Sequence, residues 1–93
     1  MKMLDQVILV GRIVELKQNY DEFIITLEIP RYYKNSEGVY ETDKIPCNVG
    51  KMLNDPVPIS IGDTIGVKGT IICQNDNIEI VAKKVTYLKR SEQ

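Results

Sequence analysis

The sequence has no histidine and no tryptophan, and its two cysteines, Cys47 and Cys73, lie far apart without a CxxC spacing. Histidine is the usual general base and a common metal ligand, so its absence removes most acid–base chemistry and most zinc sites. No Gly-rich phosphate loop or GxSxG elbow is present. We therefore expect a protein that is not an enzyme and binds no metal or cofactor. Both cysteines are interpreted as buried thiols.

Long hydrophobic runs are also missing. The longest uninterrupted apolar run covers residues 7–10, whereas a membrane-spanning helix needs about 20 apolar residues. The first residues are too polar for a secretory signal peptide. We expect a cytoplasmic protein that does not interact with membranes.

Positive charge is not in excess, because 12 Lys and Arg residues are balanced by 13 Asp and Glu residues, for a net charge of −1. Bulk charge therefore cannot attract a polyanion, and any nucleic-acid site has to be a local patch. A hydrophobic content of 43% is typical of a folded soluble domain rather than of disorder. The 93 residues suffice for one hydrophobic core and are too few for two.

Helical periodicity is nearly absent, and short runs rich in Val, Ile and Thr recur between turn signals, as in a small β-barrel. These runs predict five strands, at residues 4–16, 23–29, 40–49, 64–74 and 78–88. Pro56 and Pro58 limit any helix in the connector to one turn around residues 51–54. The alternation predicts a core that includes Val7, Leu9, Phe23, Ile25, Leu27, Ile65, Val67, Ile78 and Ile80.

Two positions indicate how the barrel closes. Gly11 lies near the middle of the first run, where a residue without a Cβ permits the bend that lets one strand serve both sheets. In the last run the apolar alternation changes phase across Lys83 and Lys84, which predicts a β-bulge.

The segment after the second strand carries the most informative cluster of residues. It reads as a polar hairpin excursion with its tip near residues 35–38, and its flanks bring three rings and three cations together. Single-strand binders need this combination, because bases stack on rings and cations follow the phosphates. The residues are Arg31, Tyr32, Tyr33, Lys34, Tyr40 and Lys44. The alternative is that the tyrosines pack under the loop and the charges only keep it soluble.

Other cations offer weaker candidates. Arg12 directly follows the bend at Gly11 and is placed to reach a phosphate across the concave face, although a lone arginine is often a solvated surface residue. Lys68 points outward on the fourth strand and extends the groove if it is functional. Two late pairs form a possible second patch, or serve solubility alone: Lys83 with Lys84, and Lys89 with Arg90.

Several segments, in this order, resemble the bacterial and phage single-stranded DNA-binding protein family. They are QVILVGR at 6–12, IPRYYKN at 29–35, GVYETD at 38–43, IPC at 45–47, GKML at 50–53 and IGDTIGVKG at 61–69. The resemblance implies an OB-fold that forms homo-oligomers and coats exposed single strands. It also implies that Tyr32 occupies the first of the family's base-stacking positions.

Departures from the family pattern indicate a compact variant, which we expect to come from a phage or mobile element. Lys44 stands at a second stacking position, and a third, just before Gly50, has no aromatic residue. The acidic C-terminal tail of the family is missing as well. The loss of two stacking positions favours an alternative function as a protein–protein assembly module.

We predict an all-β protein with a five-stranded OB-fold barrel over residues 1–88 and a short polar tail over 89–93. Its expected function is to bind single-stranded DNA with little sequence preference in replication, recombination or repair, as a dimer or tetramer. Replication or recombination proteins are further expected partners. One alternative is an OB-fold assembly module of a replisome or primosome with little nucleic-acid binding. RNA binding on the same face is another, because stacking alone does not distinguish the sugars.

Overall fold

Five strands form a closed barrel in the computed structural model, which describes residues 6–20, 22–51 and 59–91. Around the barrel the strands follow the order β1-β2-β3-β5-β4; every neighbouring pair is antiparallel except β3 and β5. The strands are β1 Gln6–Asn19, β2 Glu22–Lys34, β3 Tyr40–Gly50, β4 Thr64–Gln74 and β5 Asn77–Lys89. The predicted five-stranded barrel is confirmed.

Two points about helices can be stated only for the described residues. The predicted helical turn at residues 51–54 lies, apart from Lys51, outside the described residues. Within the described ranges, no helix has the length and apolar character needed to cross a membrane.

β1 is the strand that closes the barrel, because it pairs with both β4 and β2. Residues 6–12 pair with β4, and residues 12–19 pair with β2. At the change of partner, a Cβ on Gly11 would lie 2.8 Å from Cγ1 of Ile29 and 2.9 Å from the carbonyl oxygen of Glu28. Any side chain there would push β2 away, which explains the glycine. Residues 6–11 of β1 pair with no described strand other than β4.

The core consists of aliphatic side chains on the inward face of all five strands. Ile25 and Leu27 of β2 are fully buried, as are Ile65 and Val67 of β4. Burial of each such side chain contributes about 1.5–3 kcal/mol. The rest of the predicted core is partly confirmed: Ile80 is buried, whereas Val7, Leu9 and Phe23 are half-buried against the core. Buried residues that were not predicted as core are Ile13, Val49 and Ala82.

The two cysteines differ in environment. Cys47 is buried as predicted, and burial raises the pKa of its thiol to about 11. The prediction that Cys73 is buried is wrong, because this thiol is exposed.

The prediction that Ile78 lies in the core is also wrong, because this side chain is exposed as well. Cys73 and Ile78 are register partners just before the β4–β5 turn, in a part of the hairpin that extends beyond the barrel. β4 pairs with β1 only up to Thr70, so no described strand covers this end of the hairpin. Ile78 is consequently 70% exposed.

The predicted bulge in β5 is confirmed. Lys68 is opposite Lys84, but the next residue of β4, Gly69, is opposite Ala82, so Lys83 is the extra residue. A Cβ on Gly69 would lie 3.1 Å from Cα of Ala82 and closer still to the carbonyl oxygen of Val81. The bulge therefore brings the backbone of β5 so close to β4 that only glycine fits.

Asp63 is the only buried charged residue among those that the structure describes. Its carboxylate accepts hydrogen bonds from the Tyr87 hydroxyl, from the backbone N–H of Ser60 at 2.8 Å and from that of Ser91 at 2.8 Å. Its own carbonyl oxygen accepts from the N–H of Ile13 at 2.8 Å. Asp63 thus joins β1, the start of β4 and the end of β5.

We expect Asp63→Asn to reduce stability in a pH-dependent way. Hydrogen bonds keep the pKa of Asp63 below its ordinary value; the one from the Tyr87 hydroxyl contributes most, and those from the N–H groups of Ser91 and Ser60 contribute less. Desolvation by burial opposes this shift without cancelling it. A depressed carboxyl pKa adds stability above the unfolded pKa of about 3.9, which is lost as pH falls through the folded value. Thermal melts at pH 7 should show a midpoint about 4–8 °C lower for the variant, if about 1 kcal/mol is lost.

Melts repeated at about pH 3 and below should show a smaller difference between the parent and Asp63→Asn, because the parent's carboxyl is then becoming protonated. A difference that stays constant from pH 7 to about pH 2 would contradict this role of the charge.

Candidate nucleic-acid interface

The β2–β3 hairpin is held by its own hydrogen bonds, so the residues on its flanks have fixed positions. Oδ1 of Asn35 accepts from the N–H groups of Glu37 at 2.9 Å and Val39 at 3.0 Å, and the Asn35 N–H donates to the Val39 carbonyl at 2.8 Å. Gly38, with φ of 78°, completes the turn. The predicted tip at residues 35–38 is thereby confirmed.

A wide bulge in β2 lies directly before this turn. Pro30 pairs with Thr42 and Lys34 pairs with Tyr40, so three residues of β2, 31–33, are opposite the single residue Glu41. The extra length lifts Tyr32 out of the sheet, and its side chain is 93% exposed. The Tyr33 ring meets the Tyr32 ring edge to face, with centroids 5.1 Å apart and an interplanar angle of 81°. One tyrosine thus supports the other in a position where its face is open to a base.

A second aromatic surface lies at the adjacent register position. The ammonium of Lys34 lies 5.5 Å from the centroid of the Tyr40 ring, within cation–π distance. Tyr40 is about half exposed. Lys34 and Tyr40 therefore offer a cation and a ring side by side, next to the bulge that carries Tyr32.

Arg31 lies in the same bulge, but its charge is neutralised by two carboxylates of β3. Its Nη2 donates to Asp43 at 2.9 Å, its Nε donates to the same carboxylate at 3.2 Å, and its Nη1 donates to Glu41 at 2.8 Å. The hydrogen bond with Asp43 is the main cause that raises the pKa of Arg31 and lowers that of Asp43. Two of the five guanidinium N–H groups remain for another acceptor.

Arg12 and Lys44 lie at a different level of the sheet, on either side of Glu28. Glu28 is the register partner of Arg12 in β1 and of Lys44 in β3. Nη2 of Arg12 donates to Oε1 of Glu28 at 3.0 Å, so this cation is also paired. The structure thus brings Arg12 and Lys44 together in one row that is separate from the bulge.

Lys68 is the one predicted site residue that lies apart from both groups. It belongs to β4, where its register partners are Ile8 of β1 and Lys84 of β5. Six of the eight predicted site residues therefore lie on the β2–β3 hairpin, and Arg12 joins them through Glu28.

No protein-family model and no curated protein matches the sequence. Solved structures do match. The mitochondrial single-stranded DNA-binding protein of S. cerevisiae has a TM-score of 0.70 at 16% identity, covering 97% of this chain and 100% of that one. The barrel is an OB fold.

Two further OB-fold neighbours agree with this assignment. The N-terminal domain of PriB from Thermoanaerobacter tencongensis, whose structure is dimeric, has a TM-score of 0.68 at 18% identity, covering 92% of this chain and 98% of that one. The Plasmodium falciparum SSB, solved in complex with single-stranded DNA, has a TM-score of 0.65 at 17% identity, covering 96% and 98% of the two chains. The fold implied by the resemblance in the sequence is confirmed.

Strands β2 and β3 of this OB fold also carry carboxylates that were not among the predicted site residues. Glu41 and Asp43 bind Arg31, and Glu28 binds Arg12. Glu41 and Asp43 are two residues apart in β3, so their side chains were predictable from the sequence as lying on one face of the strand that pairs with β2. This spacing was the signal by which the two carboxylates could have been found.

In the part of the chain that the structure describes, no group of three or more His, Cys, Asp or Glu residues could hold a metal ion.

Proposed function

We propose that this protein binds single-stranded DNA with little sequence preference and serves DNA replication, recombination or repair. The observation that carries the proposal is the 93% exposed Tyr32 on a hydrogen-bonded hairpin. An aromatic ring in this position offers a stacking surface to any base, because every base has a π-face. Tyr33 holds the ring edge to face, so little ordering is needed when a base binds.

The neighbouring charges give this site its expected character. The three cations of residues 31–44 are matched by three carboxylates, Glu37, Glu41 and Asp43. Lys34 extends over a ring rather than toward a carboxylate, and Arg31 keeps two N–H groups for a phosphate. Stacking therefore contributes more to affinity at this hairpin than charge does. Arg12 and Lys44 add phosphate contacts, but the carboxylate of Glu28 between them offsets part of their positive charge.

The similarity in fold supports the same proposal. Proteins named for single-stranded DNA binding share the barrel over nearly the full length of this chain, and one of them was solved with single-stranded DNA. We also propose a dimer or tetramer, because residues 6–11 of β1 leave one edge without a described partner, and the 74% exposed Ile8 lies there.

A second candidate function is an assembly module of a replisome or primosome with weak nucleic-acid binding. Two observations favour it: the open β1 edge can pair with another protein, and Arg31 and Arg12 are already neutralised within the chain. This reading predicts protein partners instead of a nucleic-acid ligand.

Fluorescence anisotropy with labelled oligo-dT, oligo-rU and duplex DNA, at low and moderate salt, tests the proposal. We expect oligo-dT to bind more tightly than duplex DNA, because only unpaired bases can stack on Tyr32. The slope of log K against log salt should correspond to a few phosphates at about 0.7 each. Light scattering on the same samples should give a mass above the 10.6 kDa of one chain.

Absence of binding to oligo-dT at low salt would reject this function in favour of the assembly module. Tighter binding to oligo-rU than to oligo-dT would assign the same face to RNA.

A further inference from the structure

Three lysines that the β2–β3 site does not use form a cluster on the outer surface of β4 and β5. Lys68 and Lys84 are direct register partners in the antiparallel ladder, and Lys83 is the neighbouring residue in the bulge. All three side chains are exposed. Side chains of directly opposed residues have Cβ atoms about 4.5–5.5 Å apart, so the two lysine side chains leave the sheet next to each other.

The β-bulge is what places Lys83 and Lys84 on the same face. In a regular strand two consecutive residues point to opposite sides, and one of these lysines would enter the core. Here Ala82 is buried, Val85 packs against the core, and both lysines between them are exposed. Gly69 permits this arrangement because a Cβ there would clash with β5. A backbone irregularity thus concentrates charge on one surface.

No acidic residue among those that the structure describes offsets this charge locally. None of the three lysines forms an ion pair with a residue that the structure describes, in contrast to Arg12 and Arg31. The surrounding strand segments, residues 6–14, 64–74 and 81–90, contain no Asp or Glu. Like charges directly opposite each other in a ladder destabilise the sheet. The arrangement is unfavourable for the isolated protein and favourable once an anion lies across it.

We propose that Lys68, Lys83 and Lys84 bind the phosphodiester backbone of a single strand that continues round the barrel from the β2–β3 site. This proposal rests on the proposed function and adds a second contact surface to it. Charge complementarity selects a polyanion as the ligand.

A second copy of this chain is a poor ligand for the cluster. A two-fold symmetric contact centred there would bring the lysines of one copy against the same lysines of the other. The repulsion that the isolated ladder already carries would increase. The cluster therefore suits an acidic ligand, and the contact between copies is better sought at the unpaired edge of β1.

The test compares two double variants that remove the same charge. Lys68→Gln/Lys84→Gln removes the ladder pair, and Lys17→Gln/Lys51→Gln removes two exposed lysines outside the cluster. Each is titrated by anisotropy with oligo-dT of about 16 nucleotides, the upper site size of one OB fold, over a salt series. Tyr32→Ala is titrated alongside them. We expect the ladder variant to lower the salt slope by about 1–1.5, since each lost phosphate contact removes about 0.7, and the control to leave it near the parent value.

Equal slopes for the ladder variant and the parent, with Tyr32→Ala still weakened, would overturn the lysine cluster and leave the proposed function intact. Equal reductions in both double variants would overturn it as a general charge effect. A parent that binds no oligo-dT would reject the function and the cluster together. If the ladder variant lost affinity for a labelled polyglutamate peptide but bound oligo-dT like the parent, the cluster would be assigned to an acidic protein partner instead.

Discussion

Leu27→Ala is expected to lower the free energy of unfolding by about 2–5 kcal/mol. Leu27 has no exposed surface and lies near the centre of β2, in the core cluster with Ile25 and with buried residues of the other strands. Truncation to alanine removes buried methyl and methylene groups and leaves a cavity that a closed barrel cannot fill by moving one strand. Urea or thermal unfolding monitored by circular dichroism measures the loss.

Ile78→Ala is the matched control, because it also removes aliphatic side-chain volume from a strand. Ile78 is 70% exposed on the part of the β4–β5 hairpin beyond the barrel, so its truncation should change stability by about 0.5 kcal/mol or less. A loss at Leu27 as small as that at Ile78 would mean that the barrel core is not where the structure has it.

The contrast between these two residues shows how far alternation in a sequence can predict a core. Alternation reports which face of a strand a side chain occupies, and it placed Ile25, Leu27, Ile65 and Val67 correctly. It does not report where the neighbouring strand ends. Ile78 has the inward parity of Ile80, but the β4–β5 hairpin continues past Thr70, the partner of the first described residue of β1. Its exposure depends on the relative lengths of strands, which are a property of the assembled barrel.

The candidate site shows the same division between local and non-local information. That Arg31, Tyr32, Tyr33, Lys34 and Tyr40 would lie together follows from a hairpin, whose turn residues are legible in the sequence. The exposure of Tyr32 does not follow from it, because it depends on a bulge in which three residues are opposite one. A regular ladder continued from Pro30 would place Tyr32 opposite Tyr40 instead. The phase shift at Lys83, in contrast, is visible in the apolar pattern of a single strand, and the bulge there was predictable.

Tyr32→Ala is expected to weaken binding of oligo-dT by about 5- to 150-fold, since a base stacked on an aromatic ring contributes about 1–3 kcal/mol. Tyr32 makes its only described ring contact with Tyr33, so the substitution removes the stacking surface without opening the core. Stacking involves no counterion release, and the salt slope should therefore stay at the parent value. Anisotropy titrations at several salt concentrations measure both quantities.

Tyr20→Ala provides the control for Tyr32→Ala. Tyr20 is 92% exposed in the β1–β2 turn, so the two substitutions remove the same ring from equally open positions. Equal weakening by both would indicate a general effect of surface tyrosines, and unchanged binding by a folded Tyr32→Ala protein would show that the stacking position is misassigned.

Lys34 is the residue of this hairpin at which a charge substitution gives the clearest result. Arg31→Ala would remove a cation and also leave Asp43 and Glu41 unpaired, so lost attraction and new repulsion would be mixed in one measurement. Lys34 faces the ring of Tyr40 and forms no ion pair with a described residue. Lys34→Ala should lower the salt slope by about 0.7 if its ammonium contacts one phosphate. A lower slope with Lys34→Ala and an unchanged slope with Tyr32→Ala would separate phosphate contact at Lys34 from stacking on Tyr32, two residues before it in β2.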